Sequence, residues 1–330
     1  MILLLGAGGY FGRTFAAELR RRGHPFIPLS RQTFDYTRFD LLFDYLRTMK
    51  PAFVINAAGF HGRPEEDALE AAREQAMLAN ALLPQMIARV CLMTRTPWGH
   101  VSSGSIYQGA KVLEEGKLRV ERDLGRPEVR EIFEHRPHWL RGFTERDEPN
   151  FSFRAEPCSF YSGTKALAEE AVREMGQVYL WRPRLAFSDR RSPQDFLWQF
   201  QREARVPDTI ESLSHTGDCV RACLDLWEKR APFGIYNVTN PGAVRTRDLA
   251  EIMEKALRLP QPIEFEGAEE NGATQGKRTP QSHCLLDVSK LLEAGVKMRS
   301  VEAALEESLH RENGPRPGER VRVARARVVD

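Results

Sequence analysis

The strongest constraint on what this chain can fold into lies in its first dozen residues. The apolar run Ile2–Leu5 passes directly into Gly6-Ala-Gly8-Gly9-Tyr10-Phe11-Gly12, and a helical pattern follows to Arg22. Four apolar residues suit a buried strand and are far too few to span a membrane. A strand, a glycine turn and a helix N-terminus in that order form an anion site. Glycines allow the tight turn and close backbone approach, and the free N–H groups of the first helical turn face a pyrophosphate. Glycine turns without a ligand are common, so the strand before and the helix after give the pattern its meaning. Gly6, Gly8, Gly9, Tyr10, Phe11 and Gly12 are the residues expected against a dinucleotide.

The same alternation continues along the chain. Arg20, Arg21 and Arg22 suit the negative end of the helix dipole, and Gly23 can take the left-handed position after it. Phe26–Leu29 reads as a second strand, weakened by Pro28. Leu41–Met49 reads as a short helix. Phe53–Gly59 reads as a buried strand ending in Asn56, Ala57, Ala58 and Gly59, small enough to let the backbone lie against a flat cofactor. A helical stretch from Glu66 to Met93, broken or restarted at Pro84, precedes a strand at His100–Ser103.

Strands alternating with helices place the chain in the α/β class, as a Rossmann-type doubly wound parallel sheet. Residues 110–150, charged and proline-containing, interrupt it as an inserted flap with one helix. Order returns at Phe160–Lys165, which opens a helix to Met175, followed by a strand over Val178–Arg184. Shorter pieces come next: helices near Phe196–Glu203 and Val220–Glu228, a strand at Gly234–Val238, and helices over Arg247–Leu257 and Val301–His310. The expected organisation is a dinucleotide-binding domain over 1–185, a smaller C-terminal substrate lobe over 186–310 interleaved with it, and a flexible basic tail over 311–330.

A chain of 330 residues can bury a large core, and a net charge of +2 gives no general attraction to nucleic acid or membrane. Cys91, Cys158, Cys219, Cys223 and Cys284 show no zinc spacing, and no metal site is expected. An odd number of thiols, with the nucleotide strand starting at residue 2 and leaving no room for a secretory leader, fits a reducing cytoplasm. A homodimer is compatible with the chain.

An acid about 20 residues beyond the glycines would hold the adenine ribose of NADH. That place holds Ser30 and Arg31, with no acid before Asp35. A guanidinium suits a 2′-phosphate, so NADPH is expected, with NADH the lesser alternative. Tyr161 and Lys165 lie four apart on one helical face. A phenol of ordinary pKa about 10 exchanges protons poorly until an adjacent ammonium stabilises its phenolate. That spacing recurs by chance. It gains weight beside the N-terminal glycines, the Asn-Ala-Ala-Gly strand end, and the serines Ser102, Ser103 and Ser105.

With these features in order, the sequence resembles the extended short-chain dehydrogenase/reductase family over nearly its whole length, apart from the flap and the tail. The resemblance implies that Ser103 hydrogen-bonds the substrate oxygen, that Tyr161 donates the proton, and that Lys165 serves both the phenol and the nicotinamide ribose. Asn56-Ala-Ala-Gly-Phe-His-Gly-Arg-Pro64, Asp147-Glu-Pro-Asn-Phe151, Ser159-Phe-Tyr-Ser-Gly-Thr-Lys165 and Gly234-Ile-Tyr-Asn-Val-Thr-Asn-Pro-Gly242 look like the nucleotide-rhamnose branch. That branch holds the dTDP-4-dehydrorhamnose reductases and the plant bifunctional 3,5-epimerase/4-reductase domains. The implied activity is NADPH-dependent reduction, at C4, of a nucleoside-diphosphate 4-keto-6-deoxy sugar.

The departures from that branch carry their own expectations. The plant enzymes place a cysteine two residues after the Ser/Thr position, and a lysine on the helix after Pro-Arg-Asn-Phe, as epimerisation acid and base. The matching residues here are Ser105 and Gln199. A hydroxyl or an amide does not readily remove a proton alpha to a carbonyl, so reduction without epimerisation is expected. Tyr107 and Glu203 are the neighbours that could replace the base. The branch's Pro-Arg-Ser becomes Pro280-Gln281-Ser282, with Arg278 a stand-in for the arginine. Arg63, Arg184 and Arg278 are the candidate cations for the substrate pyrophosphate. His61, His100 and His215 read as structural. Two other readings compete: an epimerase or dehydratase that keeps NAD(P) bound, and a cofactor-binding regulatory subunit resembling the beta subunit of methionine adenosyltransferase. Retention of Ser103, Tyr161 and Lys165 together argues against the second.

Overall fold

The computed structural model describes residues 1–61, 72–190, 192–203, 205–257, 259, 261–266 and 279–313. Ile2–Leu5 (β1) is buried along its whole length, as a parallel strand covered on both faces must be. It pairs in parallel with Phe26–Leu29 (β2) on one side and Phe53–Asn56 (β3) on the other. Tyr10–Arg21 (α1) and Phe39–Met49 (α2) make the connections. Gly23 takes φ +72° after α1, and the Gly23 and His24 N–H groups reach back to the carbonyls of Arg20 and Leu19. β2 is the sheet edge, where a proline is best tolerated.

Arg73–Thr94 (α3) is one helix, not two. Proline lacks an N–H and crowds the carbonyl four residues back. Leu78–Leu82 widens into a π turn just ahead of Pro84 and accommodates both, so the helix continues through Pro84. Trp98–Val101 (β4) starts two residues earlier than the sequence suggests and stops before the serines. Trp98 and Gly99 extend the ladder with β3, whereas Ser103 turns out of it to cap a short 3-10 turn at Gly104–Ile106.

The flap is more ordered than expected. Ala110–Glu114 (β5), Lys117–Glu121 (β6) and Leu140–Arg141 (β7) form an antiparallel sheet in the order β6-β5-β7. Pro127–His135 (α4) closes it over Ala110, Val112, Val129 and Leu140. Phe160–Val172 (α5) and Val178–Arg182 (β8) follow, each ending two or three residues before its predicted limit.

Ala186–Phe187 (β9), Phe196–Phe200 (α6), Ile210–Glu211 (β10) and Ser214–His215 (β11) then begin the smaller lobe. Thr216–Glu228 (α7) and Gly234–Asn237 (β12) return to the main sheet, whose order is β12-β8-β4-β3-β1-β2 with all neighbours parallel. α7 begins four residues earlier than predicted because the His215 side chain accepts from the Asp218 N–H and caps it. Phe15 and Leu19 of α1 share one core with Val220 and Leu224 of α7. Leu42, Leu46, Ile87, Val90 and Val172, from α2, α3 and α5, cover the opposite face of the sheet.

Val244–Arg245 (β13), Thr246–Leu257 (α8), Ser289–Glu293 (α9) and Val301–Asn313 (α10) complete the described chain. Phe187, Leu197, Phe200, Leu249 and Leu305 form the core of the smaller lobe. α9 and the two-residue ladders β9–β11 and β10–β13 are too short to show a period in the sequence. Most of the expected tail, residues 314–330, lies outside the described residues.

Candidate active site

Connections leave β1 and β3 toward opposite faces of the sheet, and ligands of doubly wound sheets bind at the carboxyl ends of such strands. Gly6 sits there with φ +75°, and a Cβ on it would stand 2.5 Å from the Ala58 nitrogen. A Cβ on Gly12 would come within 2.0 Å of the Gly6 carbonyl oxygen, so α1 can lie on the turn only as glycine. Gly9 caps α1 without any side-chain hydrogen bond, and the first turn carries no acid. A Cβ on Gly8 would meet nothing within 4 Å. An open strip beside an uncapped helix N-terminus fits a pyrophosphate. The Phe11 ring packs into the core, and the Tyr10 hydroxyl donates to Asp195 at 2.8 Å, so these two side chains anchor the turn.

Beyond β2, Ser30 closes a turn with Thr33, and Arg31 is exposed. Asp35 accepts from the backbone and hydroxyl of Thr37 and faces solvent. At the end of β3, the buried Asn56 accepts from the Ala58 N–H at 3.1 Å and donates to His100 Nδ1 at 3.0 Å. Asn56, expected against the cofactor, is entirely buried and instead shapes the strand end through its side chain.

α5 is capped by Ser159, whose hydroxyl accepts from the Ser162 N–H at 3.1 Å. That cap sets Tyr161 and Lys165 facing the ends of β3 and β4. Lys165 is 2% exposed, donates to the Val101 carbonyl at 3.1 Å, and lies 5.9 Å from the Tyr161 ring centroid. Burial pushes its ammonium down to about 8, with Glu169 partly opposing. Gly59 leaves room for it: a Cβ there would be 3.5 Å from Nζ. Ser103 is buried just past β4, and its Oγ accepts from the Ser105 N–H at 3.1 Å, which leaves the hydroxyl proton free to be donated.

Two supporting groups escaped the sequence reading. Asn80, within the π turn of α3, accepts from the Phe60 N–H and donates to the Phe60 carbonyl, both at 2.8 Å. It clamps the segment carrying Gly59 and His61, and the His61 ring lies 4.9 Å from that of Tyr161. A lone asparagine in an apolar helix just before a proline was the available signal. On α5 itself, Glu169 accepts from Ser102 and from Arg182, and Arg182 also donates to the Tyr107 hydroxyl at 2.9 Å. The Tyr107 hydroxyl in turn donates to the Asp147 carbonyl at 2.6 Å.

A profile of the RmlD substrate binding domain matches residues 1–313. The chain belongs to this family. Relatives include the trifunctional UDP-glucose 4,6-dehydratase/UDP-4-keto-6-deoxy-D-glucose 3,5-epimerase/UDP-4-keto-L-rhamnose-reductase of Arabidopsis thaliana, 28% identical over 92% of this chain and 41% of the plant protein. The dTDP-4-dehydrorhamnose reductase of Mycolicibacterium smegmatis is 23% identical over 78% of this chain and 69% of its own length. The chain spans 41%, 28% and 36% of three such trifunctional plant relatives. The UDP-rhamnose synthase of Acanthamoeba polyphaga mimivirus superposes with a TM-score of 0.76 at 18% identity, covering 94% of this chain and 98% of that one. The dTDP-4-dehydrorhamnose reductase of Bacillus anthracis, in complex with NADP, superposes with 0.68 at 17%, covering 94% and 97%. At these identities the likeness is one of fold, a Rossmann-type parallel sheet with a smaller lobe.

On the substrate side of this RmlD-type fold, several expected residues are placed differently. Arg184 is not a loose loop cation: it is 4% exposed, pairs with Glu211 at 3.0 Å and donates to the Ser282 carbonyl. It also donates to Ser105 Oγ at 3.3 Å, so its charge is neutralised by Glu211 and serves to fix Ser105. Gln199, half-buried on α6, donates to the Pro193 carbonyl at 2.8 Å, which ties its amide back to the turn before that helix. Tyr107 is fully buried, and burial raises its phenol far above the ordinary range, which removes it as a base. His100 is buried against the Asn56 amide, and His215 lies 3.0 Å from Asp189. Arg63 and Arg278 lie outside the described residues.

Proposed function

We propose that this RmlD-family chain is an NADPH-dependent reductase of a nucleoside-diphosphate 4-keto-6-deoxy sugar. One observation carries the reading: a buried Lys165 ammonium beside the Tyr161 ring, with the Ser103 hydroxyl at the end of the adjoining strand and the open glycine turn nearby. NADPH, when bound, supplies the hydride to C4. The Ser103 hydroxyl donates to the keto oxygen and orients it. Tyr161 passes its phenolic proton to that oxygen as negative charge develops, and the Lys165 ammonium stabilises the phenolate left behind. Gly6, Gly8, Gly9 and Gly12 with the start of α1 would hold the pyrophosphate, and the exposed Arg31 would meet the 2′-phosphate.

Names of the relatives support the substrate class, and the placement of Ser105 and Gln199 favours reduction without epimerisation. Neither residue titrates near neutral pH, and both are engaged by hydrogen bonds. Incubation of the purified chain with a panel of 4-keto sugar nucleotides, followed by NADPH absorbance, tests the activity. Consumption with none of them sinks the reading. The same reaction in heavy water tests the second part: a pure reductase leaves C3 and C5 unlabelled above background, and enzyme-dependent deuterium there identifies an epimerase.

A further inference from the structure

Tyr10 has its backbone in one lobe and its hydroxyl bound to the other. It is the first residue of α1, beside the glycine turn, and its hydroxyl donates to Asp195, 185 residues away, at 2.8 Å. Burial, and after it the Asp195 charge, hold the Tyr10 phenol far above its ordinary range, so it stays protonated and donates at any working pH. Asp195 is 2% exposed and its two oxygens serve different elements. Oδ1 caps α6, accepting from the Leu197 and Trp198 N–H groups at 2.9 and 3.2 Å. Oδ2 accepts from Tyr10 and from the N–H and hydroxyl of Ser188, the latter two at 2.7 and 3.0 Å. α6 in turn carries Leu197 and Phe200 into the core of the smaller lobe. One buried carboxylate therefore takes the start of the nucleotide helix on one oxygen and sets the first helix of the smaller lobe with the other.

We propose that Tyr10 is a positioning residue that couples two ligands: cofactor at the glycine turn favours the nucleoside-diphosphate sugar in the smaller lobe, through the Tyr10–Asp195 hydrogen bond. The proposal rests on the reading of that turn as the NADPH site and of the smaller lobe as the substrate side. A pyrophosphate engages the free N–H groups of the first turn of α1, to which Tyr10 belongs, and no side chain caps that turn in its place. Fixing the backbone of residue 10 restricts where its phenol can lie. The buried partner of that phenol is the residue that starts α6, so the smaller lobe is set against the turn when the first ligand binds. The second ligand then meets a lobe already ordered, which raises its affinity. By linkage the effect is reciprocal, and the sugar nucleotide tightens the cofactor by the same factor.

Calorimetric titration of the whole chain with NADP⁺, and with UDP and dTDP as probes, each alone and with the other site saturated, measures the coupling. In the wild type, NADP⁺ should tighten a diphosphate at least about fivefold. Tyr10→Phe keeps the ring and removes the donor. Each ligand alone should then bind within about twofold of wild type, while the coupling falls below about twofold. A bond that only holds the fold together would lower the denaturation midpoint or weaken each ligand alone, and leave the ratio intact. Ser188→Ala removes a donor to the same Asp195 oxygen that does not come from the cofactor turn, and the coupling should survive it. The proposal is overturned by a wild type without coupling, by full coupling or a loss of NADP⁺ binding alone in Tyr10→Phe, or by an equal loss of coupling in Ser188→Ala. In each of those cases the reductase reading stands. If the wild type binds NADP⁺ but neither diphosphate, the substrate reading itself fails and the proposal falls with it.

Discussion

Two buried cations stand close together under this site, and the protein treats them in opposite ways. Arg182, at the end of β8, donates to both carboxylate oxygens of Glu169 at 3.0 Å and to Tyr107 at 2.9 Å. Burial alone would lower its affinity for protons, yet Glu169 outweighs this and the guanidinium is held above its ordinary range. Lys165, one turn before Glu169 on α5, has the Val101 carbonyl as its hydrogen-bond acceptor among the described residues, and burial prevails. An ammonium has three donors. Arg182 is satisfied inside the protein, whereas Lys165, proposed above as catalytic, would keep donors for a ribose and a phenolate.

Substituting each cation by methionine breaks the comparison most directly. Lys165→Met should slow turnover by about 10²–10⁴-fold, the usual worth of a positioned proton-transfer partner. It should not lower the denaturation midpoint, because a buried and sparsely partnered charge has been removed. Arg182→Met should do the reverse in kind. It strands Glu169 and should cost about 3–5 kcal/mol of folding stability, measured by denaturant unfolding. If the arginine variant is stable and the lysine variant unfolds, the division of roles is wrong.

The pH dependence sharpens the contrast. The Lys165 pKa of about 8 in the folded protein lies below its unfolded value of about 10.4. Between those values the unfolded chain binds more protons, so this group's contribution to stability improves as pH rises from 8 to 10. Activity goes the other way, and kcat/KM, which reports the free enzyme, should fall above a pH of about 8. A basic limb only above a pH of about 10 would show that Lys165 is not depressed or not needed.

Smaller effects belong to charges and hydroxyls nearer the surface. Arg31→Ala should weaken NADPH by about 1.5–3 kcal/mol and leave NADH nearly unchanged, with the difference shrinking in high salt. An equal loss for both cofactors, read by fluorescence titration, would assign Arg31 to solvent alone. Tyr10→Phe removes one of the donors that converge on Asp195, whose oxygens also accept from Ser188, Leu197 and Trp198. With those left in place, unfolding should be easier by only about 0.5–1.5 kcal/mol.

Local chemistry was legible in the sequence, and distant pairing was not. The glycine turn, the capped helix carrying Tyr161 and Lys165, and Ser103 each announce themselves within a dozen residues. Glu169 even sits on the same helical face as Lys165, but its partner Arg182 lies on a different element. Arg184 looked like a free cation because nothing near it in sequence shows that Glu211, 27 residues on, neutralises it. The flap concealed a hairpin whose signal was short: Glu115 and Gly116 both take positive φ, as a tight two-residue turn requires, in the midst of a charged run.

The pairing of α1 with α7 has a consequence for how the chain is made. Arg22 bonds to Asp225, 203 residues away, and Phe15 and Leu19 are covered by the same late helix. At about 5–20 residues per second, translation leaves that apolar face uncovered for on the order of ten to forty seconds. A nascent chain halted after β8 would have most of its sheet and no lid for one side. Completion of α7 and β12, rather than emergence of the N-terminal half, is the moment at which that face of the growing sheet is covered.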